Sequence, residues 1–600
     1  MKKFTMLSSV LASALMLTVA SCSSEDVAGG DSQNDKGTTS FLAVNIENVG
    51  SAPASRSYDQ GGGTYEDGTG TESTINKVRF YFFNGDGTPY LLVNNDPTNN
   101  QSVNYLDQTV ETAGDDHDHT AEIKTKAVLV LKGETKAIPA SVIAVINPGV
   151  LDNTTLHSGT MTLSELRTSA IGSKFYDTTN GFVMSNSVYE SAGQDVCSTP
   201  VANNVFASSD AALKKPVDIY VERVNAKVNA KIDADYVRTN ETEKAWSKNA
   251  EGKYQINVGN IDVTTYAENT NATPTKKTYP VYAVVQGWQV ADANGKAELC
   301  KQINTSWYAG QLGISPWTTS DYHRCFWSKS VPFNFGAQGG VNQPVNPKFE
   351  NIKQSLSGDF STTPVYTLPN TPTEVIANPT TSLNTLTKLI VAAKLVYKDD
   401  NGDYKPAQIC QYRGLTYLGE EAVKKQIVGG FARYFKKTTT ESGDVYKSIE
   451  ASDIAFKTVV PGSPESSGVK NYEVVATLAS TVGDLYVKNG ETWTKASKDD
   501  VNAALAKETA QVRSTDGATY YYTPIKHLGD AGKLGEYGIV RNHSYQVTIQ
   551  NIKGFGTPVY DPKKEIDPMV PSDENTYLAA SIKVLSWRVV SSKVNLDQTK

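Results

Sequence analysis

SIKVLSWRVVSSKVNL, residues 581–596, lies at the very end of a 600-residue chain. Chain ends are ordinarily frayed and polar unless something docks them. Here Ile582 and Val584 fall on one face, with Lys583 on the other. After a one-residue shift, Leu585, Trp587 and Val589 share a face, opposite Ser586 and Arg588, and Val594 and Leu596 resume the pattern. This is a long apolar strand pattern. Such a strand either completes a sheet of its own domain or completes a sheet in another molecule, and the residues alone leave both open.

The other end carries an export signal. Lys2 and Lys3 precede an apolar run from about Met6 to Val19, which is too short to span a bilayer. The run ends in Val19-Ala20-Ser21-Cys22, similar to a bacterial lipobox. The expectation is a signal peptide over 1–21 and diacylation (palmitate) of the Cys22 thiol, which becomes the new N-terminus. No later segment approaches 18 apolar residues, so membrane attachment is expected only through that lipid.

Composition points to β-structure. The chain has 31 Tyr, 45 Gly, 39% hydrophobic residues and a net charge of −7, with long amphipathic helices scarce. The best helix candidate is 497–512, with Ser497 as N-cap and Asp500 three residues on. No basic stripe argues for nucleic acid. No nucleophile elbow, P-loop, HExxH or dinucleotide fingerprint occurs, so neither enzymatic activity nor a cofactor is expected. DDHDH (115–119) is the densest His/Asp cluster, and a solvated loop is its plainer reading against a metal site. DDNGD (399–403) reads as a hairpin turn, because the twelfth position of a calcium loop would be Cys410 instead of Glu. Cys197, Cys300, Cys325 and Cys410 are widely spaced; export permits disulfides, and buried free thiols fit as well. Trp307, Trp317 and Trp327 are either core residues or exposed rings for a sugar.

FLAVNIENV (41–49) alternates Leu42, Val44 and Ile46 against Ala43, Asn45 and Glu47, a strand. A Gly/Ser/Pro-rich loop with Arg56 follows, the kind of segment proteases cut. Cutting between Arg56 and Ser57 would free the first strand. Strand-like runs follow at 75–83, 126–132, 141–147, 181–189 and 217–234, and the first domain is expected to end near Tyr236. The polar stretch 239–253 reads as linker or loop, ahead of a larger domain with strands at 279–290, 389–409 and 538–556. The expected organisation is signal peptide 1–21, tether and removable first strand 22–56, N-terminal domain 57–236, C-terminal domain 237–576 and donor strand 577–600. A sheet that loses a strand exposes unpaired backbone groups over an apolar floor, which an extended segment of another molecule can fill. A head-to-tail contact of that kind builds a filament.

VASC, VDIYVERVNAKV, FVMSNS, YPVYAVVQGWQV, YGIVRNHSYQVTIQNIKGFG and VLSWRVVSSKVNL together resemble the fimbrillins of the Bacteroidales type V pilus, in particular the major-subunit type of the short (minor) fimbriae of Porphyromonas. The resemblance implies two transthyretin-like β-sandwich domains. It implies a lipoprotein precursor at the outer membrane, attached through Cys22. It implies cleavage after Arg56 by a trypsin-like or arginine-specific protease, and a homopolymer built by donor-strand exchange into a cell-surface fimbrium, with anchor and tip fimbrial proteins as partners. Here the loop is longer and glycine-rich, and Lys36 offers a second basic cut site. The alternative from another class is a surface glycan-binding lipoprotein that stays acylated and monomeric.

Overall fold

The computed structural model describes residues 39–588 apart from 49–64, 69–70, 96–99, 110–124, 152–155, 157–158, 192–193, 266–274, 304–316, 320–321, 325–326, 334–341, 378–384, 460–471, 528, 567 and 569–576. Strand β1 (Thr39–Asn48) and a three-residue β2 (Tyr65–Asp67) come first. Then follow β3 (Lys77–Phe83), β4 (Tyr105–Thr109), β5 (Thr125–Lys132), β6 (Ser141–Ile146), β7 (Met184–Asn186), β8 (Val205–Phe206) and β9 (Val217–Arg223). The fold is all-β, as composition and alternation predict.

All of these except β2 join one nine-stranded sheet, in which β1 has β5 along one edge and β8 and then β9 along the other, and the order continues β9-β7-β6-β3-β4. Period-2 alternation puts Val78, Phe80 and Phe82 on one face of β3, and Tyr81 and Phe83 on the other. The first face shares a core with Leu42, Val44, Leu129, Leu131, Ile219 and Val221. The second is covered by segments from far along the chain, including Leu299, Trp327, Leu368 and Val540. Burial on both faces explains why 80–83 and 142–146 are continuous apolar runs.

Sheet membership changes at Val224–Asn225, ahead of the boundary expected near Tyr236. β10 (Ala226–Ile232) already belongs to a second, five-stranded sheet. That sheet faces a third, of seven strands, built around β11 (Tyr254–Thr265), β12 (Thr275–Ala291), β14 (Lys388–Lys398) and β15 (Ala518–Pro524). Its partner runs β2-β17-β16-β10-β13, where β13 is Val365–Thr367, β16 is His543–Lys553 and β17 is Tyr577–Arg588. Val228, Ala230, Tyr545, Val547 and Ile549 of one sheet meet Ile256, Val281, Ala283, Leu389 and Val391 of the other in one core, a β-sandwich. Gly556, at φ +71°, lies so close to Thr519 that a Cβ would stand 2.5 Å from its Oγ1.

The polar stretch expected as a linker at 239–253 is instead partly strand: Trp246–Lys248 pairs with β11, and Trp246 is buried. The apolar indole, not the surrounding polarity, decides its place. Residues 409–512 form an inserted unit with a core of its own, including Cys410, Tyr412, Val423, Ile427, Leu485, Val501 and Leu505. Its two helices, Glu420–Gly429 and Lys498–Leu505, each bury an i, i+4 pair. Ser497 Oγ caps the second, accepting the Asp500 N–H. That helix stops at Leu505, short of the expected 512, because Thr509 and Ala510 pair as a strand with Val474 and Val475.

The Asp399–Asp403 segment is the predicted hairpin turn: Asp399 Oδ1 accepts the Asn401 and Asp403 amides, and Gly402 takes φ +85°. Asp399 Oδ2 pairs with Lys405. Cys197, Cys300 and Cys410 are buried free thiols, and Cys325 falls outside the described residues. Burial pushes the Cys197 thiol up to about 11 and that of Cys410 up to about 12, which keeps both protonated and unreactive. The DDHDH cluster (115–119) lies outside the described residues.

Candidate functional site

The first strand does not sit at an edge. β1 runs antiparallel to β5 on one side, with Leu42 opposite Leu129 and Val44 opposite Ala127. On the other side it runs parallel to β9, with Val44 opposite Val217 and Ile46 opposite Ile219, and antiparallel to β8 at Phe41–Leu42. Leu42 and Val44 are buried, as is Ala43. The Ile46 side chain falls outside the described residues.

Without β1, the inner backbone edges of β5 and β9 would both lose their partners. The floor between them would be the core face carrying Leu129, Leu131, Ile219 and Val221. Burying Leu42 and Val44 contributes roughly 1.5–3 kcal/mol each before ordering costs. The site is therefore a preformed slot for one extended strand, filled here by residues 39–48. The chain leaves β1 at Asn48 and next appears in β2, in a different sheet. Arg56 and Ser57 fall between them and, like Cys22, outside the described residues.

The last strand lies in its own chain's sandwich. β17 pairs antiparallel with β16 from Tyr577 opposite Lys553 to Ser586 opposite His543, with one bulge between Ile549 and Asn551. Leu578 is buried in the sandwich core, and Ala580 packs against it. Ile582 and Val584 lie opposite Val547 and Tyr545, both fully buried. Leu585 lies opposite Ser544 in the same ladder. Trp587 pairs across the strand's second edge, opposite Glu66 of β2. Val589, Val594 and Leu596 fall outside the described residues.

Two features escaped the sequence reading. Residues 50–73 read as loop throughout, yet Tyr65–Asp67 forms a strand along the edge of β17 and Thr71–Ser73 a 3-10 turn. The turn places Glu72 at a buried polar junction between the two halves of the chain. Glu72 Oε1 is 3.0 Å from Lys227 Nζ and accepts the Tyr366 hydroxyl at 2.6 Å. The Arg223 guanidinium donates to the Glu72 carbonyl at 2.6 and 3.0 Å and to Asn542 Oδ1 at 3.3 Å. Burial, and then the Glu72 carboxylate, drive the Tyr366 phenol far above its ordinary value. An isolated Glu among Gly and Thr gives no pattern to find. The signal available was the alternation of Lys and Asn in Ala226–Ile232, a strand whose polar face is also largely buried.

Of the three tryptophans, Trp327 is wholly buried, so packing is its role and it presents no ring to a sugar. Trp307 and the Trp317 side chain are outside the description.

Residues 514–593 match the family model described as "Major fimbrial subunit protein type IV, Fimbrillin, C-terminal". That region holds β15, β16 and β17. No curated protein matches the chain. Among solved structures, it is similar to a putative cell adhesion protein from Parabacteroides distasonis ATCC 8503, at 11% identity and TM-score 0.35 over 93% of this chain and 100% of that one. A putative cell adhesion protein from Bacteroides eggerthii DSM 20697 gives 11% and 0.32 over 92% and 98%. The tip fimbrial protein Mfa3 from Porphyromonas gingivalis gives 10% and 0.30 over 92% and 100%. The C-terminal match makes the chain fimbrillin-like.

Proposed function

We propose that this fimbrillin-like chain is a structural shaft subunit of a surface fimbria that polymerises by strand exchange. A lipoprotein precursor anchored through Cys22 reaches the outer membrane and is cut after Arg56 by a trypsin-like or arginine-specific protease. Residues 22–56 then leave, and the slot between β5 and β9 takes the terminal segment of a neighbouring subunit, residues 577–600. The two sandwich regions, nominally 57–236 and 237–576, form the body of each link, and anchor and tip proteins complete the fimbria.

The single observation that carries this reading is the position of β1. It lies between two strands, buries Leu42 and Val44, and is joined to the rest of the chain through the segment that holds Arg56. Only such an internal strand, once removed, leaves a slot with two unpaired edges. The terminal strand has a place beside β16 in its own chain, so exchange requires it to leave that place, at the cost of the β16 and β2 pairings.

N-terminal sequencing of surface filaments tests the proposal. Filament subunits beginning near Ser57 are expected, together with cross-links between residues 577–600 of one subunit and β5 or β9 of the next. Filaments whose subunits retain residues 39–48 would refute it. Surface monomers with an acylated Cys22 and no filaments would favour the glycan-binding lipoprotein.

A further inference from the structure

Among the described residues, three lysine–carboxylate pairs bury both partners almost completely: Lys227–Glu72, Lys301–Glu222 and Lys388–Asp292. A buried ion pair is costly, because two charges leave water and their mutual attraction only partly offsets the loss. In a dry site the pair is relieved if the proton passes from ammonium to carboxylate, leaving a neutral amine against a neutral acid.

The three pairs differ in what else holds the carboxylate. Lys227 Nζ stands 3.0 and 3.1 Å from the two oxygens of Glu72, whose Oε1 also accepts the Tyr366 hydroxyl. Glu222 has a second cation beside it, with Arg541 Nε 4.0 Å from Oε1, which favours its ionised form. Asp292 is held asymmetrically. Its Oδ2 meets Lys388 Nζ, while its Oδ1 accepts the Asn346 side-chain amide at 3.0 Å. The Asn346 oxygen in turn accepts the Asp292 backbone N–H at 2.8 Å, so the carboxamide clamps this residue from two sides.

We propose that Lys388 and Asp292 condense to an intramolecular amide, an isopeptide cross-link between β12 and β14. Asp292 directly follows the last residue of β12, Lys388 opens β14, and Ala291 lies opposite Lys388 in the ladder. The nucleophile and the acid are thus fixed in contact by the sheet itself, which replaces a bimolecular encounter by a near-attack arrangement. The amine lone pair attacks Asp292 Cγ. Charge developing on Oδ1 is met by the Asn346 N–H already aimed at it. The Cγ–Oδ2 bond breaks, and Oδ2 departs as water, carrying the proton received from the ammonium and one more from the nitrogen. One amine and one carboxylic acid give one amide and one water, with no oxidant or other reactant.

The surroundings suit the product. Lys388 Nζ donates to the Leu386 carbonyl at 3.0 Å, and the single N–H of the amide can keep that bond. The side chains of Lys388 and Asp292 are 0% and 2% exposed, so the water needed for hydrolysis has poor access. The cross-link would close a loop from 292 to 388 and tie together two neighbouring strands of the C-terminal sandwich, independently of any strand exchange.

Mass spectrometry of the natively folded chain decides the matter. The expected result is a mass lower than the sequence by one water, and a branched tryptic peptide that joins the peptides containing Asp292 and Lys388. Lys388→Arg should return the full mass. Asp292→Asn should still close, losing ammonia in place of water and reaching the same final mass as the wild type. Wild-type protein at full mass, with Asp292 and Lys388 recovered in separate linear peptides, overturns the proposal whether or not the variants fold.

Discussion

Leu42→Ala separates the departure of β1 from everything that follows it. Leu42 is fully buried, opposite Leu129 on one side and Val205 on the other. Truncating such a leucine costs about 2–5 kcal/mol, the spread depending on how far the cavity collapses. The uncut precursor should lose that amount in urea denaturation. After cleavage at Arg56, the first strand is held only non-covalently. A loss of about 3 kcal/mol then weakens its hold roughly a hundredfold, since 1.4 kcal/mol is tenfold. The mature subunit left behind is identical in sequence to the wild type, so any change in assembly traces to the strand that leaves. The assay cuts purified precursor with a trypsin-like protease, follows release of the N-terminal fragment by size-exclusion chromatography, and follows polymer growth by light scattering. Release and growth should both accelerate in the variant. A precursor that is destabilised while its fragment release and filament growth keep wild-type rates would refute the slot reasoning.

Three further outcomes follow from the geometry. Glu72→Ala removes the buried partner of Lys227 and Tyr366, and should cost about 3–5 kcal/mol in chemical denaturation, where Glu72→Gln costs less. His527 is neutral in the fold, because burial and then the neighbouring His543 hold its pKa well below the usual histidine value. In the unfolded chain it titrates near ~6.5, so its contribution is complete above that pH and is lost as pH falls; the slope reaches at most about 1.4 kcal/mol per pH unit. Melting temperatures measured from neutral pH downward should fall, and His527→Gln should flatten the fall. Deleting residues 577–600 removes β17 from the edge of β16 and should give an exported chain with a lower melting temperature that forms no filaments; normal filaments from it would remove the terminal strand from assembly.

The sequence by itself determined the faces of this protein. Alternation placed Leu42 and Val44 inward, the Asn401–Gly402 turn closed its hairpin, and Ser497 began a helix. In residues 217–234 the apolar positions even change phase, from Val217, Ile219 and Val221 to Val224, Ala226 and Val228, at the point where the chain passes from one sheet to the next. A period of two fixes which side of a strand is buried, and leaves open which strand lies beside it. Tertiary structure alone decided that β1 sits between β5 and β9, strands that begin at Thr125 and Val217, far beyond it in the chain. It also decided that Trp246 turns a polar stretch into an edge strand, that residues 409–512 have a separate core, and that Lys388 meets Asp292 across a separation of 96 residues. Partners are chosen by packing over long separations in sequence, where the entropy of closing the intervening chain rises only slowly with its length, so no local pattern records the choice.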